Sequence, residues 1–198
     1  MDNEQHIWNY DYEKEKSIVP GTLLLSEPFM FDENFRRTVV LVCEHSEESG
    51  TVGLVINKPL DLRLAEVVED FPDFNARVYL GGPVATDTLQ FVHSLGDKIE
   101  GSLPITQKVS WGGNFEQLKQ LITKGEVAPY EVNFYLGYSG WSPEQLKTEL
   151  MDNSWIVAKG SQKLIFNADS NKLWKHIMKE MGGVYNTMAG YPENPGLN

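Results

Sequence analysis

RTVVLVCEHSEESGTVGLVIN, residues Arg37–Asn57, holds two apolar runs around a polar, glycine-ended connection. The first run, Arg37–Cys43, is continuous and valine-rich, the pattern of a strand buried on both faces. The second, Thr51–Asn57, sets Val52, Leu54 and Ile56 on one face. Together they predict a long antiparallel hairpin. Upstream, Pro20–Gly21 opens the ordered part, Leu23–Leu25 is a short apolar run, and PFMFDENF is a loop anchored by Asp32. Downstream, Asp61 caps a predicted helix reaching Asp70, with Leu64, Val67, Val68 and Phe71 as its stripe.

RVYLGGPV then reads as a strand ending in a glycine turn, LQFVHSL as a strictly alternating strand, and ITQKVSW as one further strand. Asn114 caps a helix whose stripe is Phe115, Leu118, Leu121 and Ile122 and which Gly125 ends. EVNFYLG alternates as a strand. Ser142–Pro143–Glu144–Gln145 is a helix start with serine as N-cap and glutamine as reciprocal partner. SWIVAKG and KLIF predict two short strands, and Ser170–Met181 a last helix stopped by Gly182–Gly183. Hairpins mix with helices in no regular βα alternation, which argues an α+β fold. The expected organisation is a polar tail over residues 1–17 and a single domain over 18–198.

The chain has 198 residues, 28 acidic against 17 basic, and a formal net charge of -11. Duplex binding requires clustered Lys and Arg to displace counterions, so direct nucleic-acid contact is disfavoured. Cys43 is the single cysteine, which excludes an internal disulfide and a cysteine-based zinc cage. No metal and no cofactor is predicted. The N-terminal stretch is acidic without an apolar core, and no apolar run approaches the ~20 residues that span a bilayer. These features predict a cytoplasmic protein with no membrane partner.

Two glycine-hinged segments are the candidate site: LGGPV at Leu80–Val84 and LGYSGWSPEQL at Leu136–Leu146. A strand, a glycine turn and a capped helix at Gly137–Gln145 resemble an anion site, but the lysine and glycine spacing of phosphate loops is missing. Ser139 lacks the G-x-S-x-G context of a nucleophile elbow. Gly81 and Gly82 would let a ligand approach the backbone, with Pro83 fixing the exit. His93 shares a face with Leu89, Phe91 and Leu95 and reads as a hydrogen-bonded core histidine. His45 follows Cys43 on one strand face, too few groups for a metal site. Arg36, Arg37 and Lys58, with Asn57, lie near strand ends where they could hold a carboxylate or phosphate. Ordinary solvated charge, or a structural pair with Asp32, is the favoured reading of them. Gln145 and Glu149 share a helix face. The two glycine segments are expected to lie together at one end of the sheet.

The ordered strings FDENFRRTVVLVCEHS, GLVINKP, YLGGPV, LQFVHS and LGYSGWSPEQLKTEL, then SWIV and LIF before a Trp-bearing helix, resemble the AlgH/YqgE family of bacterial proteins from about Val19 onward. The resemblance implies a bifurcated, mostly antiparallel β-sheet closing into a pseudo-barrel flanked by helices. It also implies a cytosolic protein of unestablished activity that often carries a transcriptional-regulator label. Family-typical positions fall on Arg37, His45, Asn57, Pro59, Gly81, Gly82, Pro83, Asp87, His93, Gly137, Tyr138, Gly140, Trp141, Gln145 and Glu149. Lys58 stands where many relatives have arginine, and Ser139 where alanine is common.

The favoured function is a non-catalytic module that binds a small anionic ligand or a protein partner, with any part in transcription indirect. The first alternative is a hydrolase or group-transfer enzyme using His45 or His93 with Asp87, for which no spacing supplies a mechanism. The second is a direct DNA-binding regulator, which the charge disfavours.

Overall fold

The computed structural model describes residues 18–166 and 168–193, so the tail expected over residues 1–17 lies outside the described residues. Nine strands are described: β1 (Thr22–Ser26), β2 (Val39–Ser46), β3 (Gly50–Val55), β4 (Val78–Leu80), β5 (Val84–His93), β6 (Leu103–Thr106), β7 (Val109–Trp111), β8 (Val132–Trp141) and β9 (Trp155–Lys159). The helices are α1 (Phe115–Thr123), α2 (Gln145–Met151), α3 (Gln162–Phe166), α4 (Leu173–Met181) and α5 (Gly183–Met188). The strands follow the path β6-β7-β5-β8-β3-β2-β1-β9, with β4 beside β8 off that path. Every pairing is antiparallel except β4 with β8. This is the expected α+β fold.

The sheet forks along β8. Thr51–Gly53 of β3 lie opposite Trp141–Ser139. Past Gly53 the chain leaves β8, and β4 enters the space, pairing Val78–Leu80 in parallel with Phe134–Leu136. The continuation of β3 closes on the other side of β4, where the N–H groups of Val55, Leu60 and Leu80 donate to Gly81, Val78 and Lys58 carbonyls. β4 is thus a short wedge between two strands that pair directly further along.

Three apolar clusters hold the layers. Leu23, Leu25, Val39, Leu41, Leu54 and Tyr135 face inward and meet Trp174, Ile177 and Met178 of α4. Leu24, Val40, Val42 and Val55, on the opposite face, meet Leu146 and Leu150 of α2. Phe91 and Phe134 pack on Leu118 and Ile122 of α1. Both faces of β1, and of β2 from Val39 to Cys43, are therefore buried, as their continuous apolar runs require. Among the described residues the sheet curves into an open pseudo-barrel that does not close, with β6 and β9 at its two ends.

Local chemistry overrides several expectations. Residues 61–70 form only a 3-10 turn at Leu64–Glu66, because Pro72 constrains the exit and just Leu64 and Phe71 of the stripe are buried. ITQKVSW is a tight hairpin, β6 to β7, turning at Gln107–Lys108. KLIF is helical in α3: Ser161 Oγ accepts from Leu164 N–H, and the neighbours Ile165 and Phe166 both enter the core. Ser142 is not the N-cap of α2. Glu144 takes that place with φ 65°, while Gln145 Oε1 accepts from Ser142 N–H as the reciprocal pattern predicts. Asn114 caps α1 through Gln117 N–H, as expected.

Candidate functional site

The glycine segments meet at the tip of the wedge. β8 runs through Gly137 to Trp141 without reversing, so the expected turn at LGYSG is a strand. Gly137, at φ 68°, is a kink in that strand. A Cβ on Gly137 would sit 2.8 Å from the carbonyl oxygens of Gly82 and Val84. On Gly81 it would sit 2.4 Å from Gly137 O, and on Gly82 2.3 Å from the Tyr138 carbonyl. These glycines exist so that two backbones can touch, and even a methyl group would collide there. Ser139 is fully buried and its hydroxyl donates to Gly81 O at 3.2 Å. Pro83 and the Ala85–Thr88 bulge that carries Asp87 are exposed beside this junction. Tyr138 is half-buried and Gly140 exposed.

The cations near the hairpin's open end are already engaged. Arg37 Nη2 donates to the carbonyls of Tyr191 and Pro192 at 2.9 Å each, and its guanidinium lies 4.2 Å over the Trp174 ring. Lys58 Nζ donates to Glu33 O and Asn34 O at 2.9 and 2.7 Å. Burial lowers the pKa of both from their ordinary values, chiefly by desolvation. Asn57 imitates a strand: its Oδ1 accepts from Val39 N–H and its Nδ2–H donates to Arg37 O. Arg36 faces Glu33 at 3.9 Å.

His45, Trp141 and Gln145 lie at the other end of β2. His45 is six positions beyond Val39, about 20 Å at ~3.4 Å per residue. The sequence-predicted residues therefore divide among three places rather than one cleft. The His45 ring bonds Thr51 Oγ1 at 2.8 Å and lines a groove of about 240 Å3 with Glu47, Ser142, Glu144 and Lys147. Two carboxylates enter that groove, and Lys147 pairs with Glu144 at 3.4 Å. Beside it, Glu149 Oε2 accepts from both Trp141 Nε1 and Trp155 Nε1, at 2.8 and 2.7 Å, while Gln145 Nε2 holds the other oxygen. His93 is fully buried: Nδ1 accepts from Leu95 N–H, and Nε2 lies 3.1 Å from Gly112 O. Burial lowers its pKa, against the opposing bond to Gly112 O, and so favours the neutral imidazole.

A larger opening than the His45 groove lies where none of these residues is. The ends of the sheet, β6 and β9, line a cavity of about 500 Å3 together with Gly21 and Thr22 at the start of β1. Ile105, Thr106, Val157 and Lys159 form its walls. Among the described residues β6 pairs only with β7 and β9 only with β1, so each has an edge without a partner strand there. The lining residues, 19–22, 105–106 and 157–160, include Lys159 and neither Asp nor Glu, and Lys108 and Lys163 follow two and three positions beyond them in the chain. That acid-free pattern was the available sequence signal. Among the described residues no group of His, Cys, Asp and Glu is arranged to hold a metal, and no helix is long and apolar enough to cross a membrane.

A forked sheet with a wedged parallel strand, two unpaired ends and helices on its faces defines the class, an open α+β pseudo-barrel. The AlgH-like family model matches residues 23–186, and the chain belongs to that family. A UPF0301 protein of Chlorobium limicola is 41% identical over 179 residues, covering 90% of this chain and 95% of that protein. Its counterpart in Bacteroides thetaiotaomicron is 40% identical over 188 residues, covering 93% and 95%. The AlgH protein of Pseudomonas aeruginosa, solved in solution, superposes with a TM-score of 0.70 at 29% identity, covering 89% of this chain and 95% of that one. A crystal structure from Corynebacterium diphtheriae shares the fold at 20% identity, with a TM-score of 0.72 and coverage of 88% and 93%.

Proposed function

We propose that this protein is a non-catalytic binding module that takes an extended segment of a protein partner into the gap between β6 and β9. The observation that carries the proposal is the pair of strand edges, unpaired among the described residues, that line one cavity. Unpaired edges offer a row of backbone donors and acceptors, and an added strand satisfies them while its side chains alternate between the two faces. The volume falls in the range of ligand sites, and β9 is long enough to pair about five residues, some 17 Å of extended chain.

The small-anion reading at Arg37 and Lys58 loses support because backbone carbonyls already occupy both cations. The hydrolase reading has little beneath it. His93 is sealed in the core, and His45 bonds a threonine and pairs with no carboxylate among the described residues. A net charge of -11 continues to oppose direct DNA binding.

Selection of displayed random octapeptides against the full chain tests the proposal. Enriched sequences should alternate apolar residues, and Ala158→Trp, which fills the gap, should abolish their capture while leaving the circular dichroism spectrum unchanged. Capture that survives Ala158→Trp would defeat it.

A further inference from the structure

The gap has a charge, and the charge specifies its occupant. Resting on the peptide-binding reading above, we infer that the segment taken up between β6 and β9 is acidic, with apolar and carboxylate residues in alternation. The lining residues are apolar or neutral apart from Lys159. Lys108 sits at the tip of the β6–β7 hairpin, its N–H donating to Thr106 Oγ1, and Lys163 follows β9 on α3. All three lysines are exposed, and none pairs with a carboxylate of the described residues.

This is unusual for the molecule. The chain carries 28 acidic residues against 17 basic ones, yet none of the residues lining the gap is acidic and Lys159 is the one that is charged. A cationic gap on an anionic body steers an acidic segment to this place and away from the remaining surface, where like charge repels it. Alternation follows from strand geometry: in an added strand every second side chain turns toward the barrel interior, against residues such as Ile105, and the intervening ones turn toward water and the lysines.

A second explanation for Lys159 must be separated from this one. Lysines on free edges also oppose edge-to-edge pairing between copies of a chain. That role needs no acidic partner and gives no preference among peptides.

Three fluorescein-labelled octapeptide pools decide the matter, each built on alternating Val and Xaa, with Xaa as Glu, Ser or Lys. Binding is read by anisotropy at about 20 mM and about 150 mM salt, with the wild type and with Lys108→Glu, Lys159→Glu and Lys163→Glu. The Glu pool should bind tightest, weaken at the higher salt, and lose about two- to fivefold with each reversed lysine, in line with exposed ion pairs. The Lys pool should gain on the triple variant. Equal binding of the three pools, untouched by the substitutions, overturns the acidic preference and leaves peptide binding standing. No binding by any pool, with a short single-stranded oligonucleotide or tripolyphosphate bound instead, overturns the peptide reading itself.

Discussion

Gly81→Ala tests the account of the wedge most severely. Gly81 has no left-handed backbone angle, so alanine meets no conformational objection there. On unfolded-state entropy alone it would stabilise by about 0.4–1 kcal/mol. Against this, the new Cβ would lie 2.4 Å from Gly137 O, where a carbon and an oxygen need about 3.3 Å. Tyr135 Cβ at 3.0 Å and Leu54 Cδ2 at 3.2 Å close the other directions. Relief requires β4 and β8 to separate by close to 1 Å, which strains the Gly81 N–H to Leu136 O bond at 2.7 Å and the Val55 N–H to Gly81 O bond at 2.8 Å. Overpacking costs about 1–3 kcal/mol, and each weakened bond up to about 1 kcal/mol. With both bonds weakened by about that full amount and the entropic gain subtracted, the net loss is about 2–4 kcal/mol. Gly140→Ala is the control, since its Cβ meets nothing closer than the Tyr138 ring at 3.4 Å and the site is exposed. Urea denaturation should lower the Gly81→Ala midpoint by about 1–2 M at a slope near 2 kcal/mol/M and leave Gly140→Ala within about 0.5 kcal/mol of wild type. A Gly81→Ala protein as stable as wild type, or equal losses from both variants, would refute the reasoning.

Other expectations follow from the same geometry. His93 has its pKa lowered by burial, so the unfolded chain takes up the proton first. The stability it contributes is complete above about pH 6.5, the unfolded value, and is lost as pH falls toward the folded pKa. Denaturation midpoints against pH should show this slope, and His93→Gln should flatten it. Glu149→Leu strands two buried indole N–H groups and should cost about 2–4 kcal/mol, against less than half that for Glu149→Gln, which keeps an acceptor; thermal melts of both compare them. Arg37→Leu removes the bonds to Tyr191 and Pro192, so limited proteolysis near residues 189–193 should accelerate and Trp174 fluorescence should shift.

The hairpin, the buried β1 and β2, the cap at Asn114, the Ser142–Gln145 reciprocal bond and the core role of His93 were legible because periodicity and capping act locally, whereas the expected cap at Ser142 falls instead on Glu144. The wedge was half legible. LGGPV and LGYSG do adjoin, but a glycine demanded by a turn and one demanded by a touching strand look alike in one dimension. KLIF reads as a strand from composition, and its helix follows from where Ile165 and Phe166 find the core. Arg37, Asn57 and Lys58 stood out as polar groups at strand ends; their carbonyl partners lie at distances along the chain that no spacing rule reaches, 154 residues for Arg37 and Tyr191. The gap went unseen because it is made by three remote segments, although their shared lack of acids was already present in the sequence.

Residue-resolved amide hydrogen exchange, with and without the alternating Val–Glu octapeptide pool, tests the central claim most directly. Exchange should slow at alternate amides of Leu103–Thr106, Pro104 having none, and of Trp155–Lys159, those on the edges facing the gap, with little change elsewhere. Protection confined to the His45 groove, or absent from both edges while the peptide is bound, would contradict it.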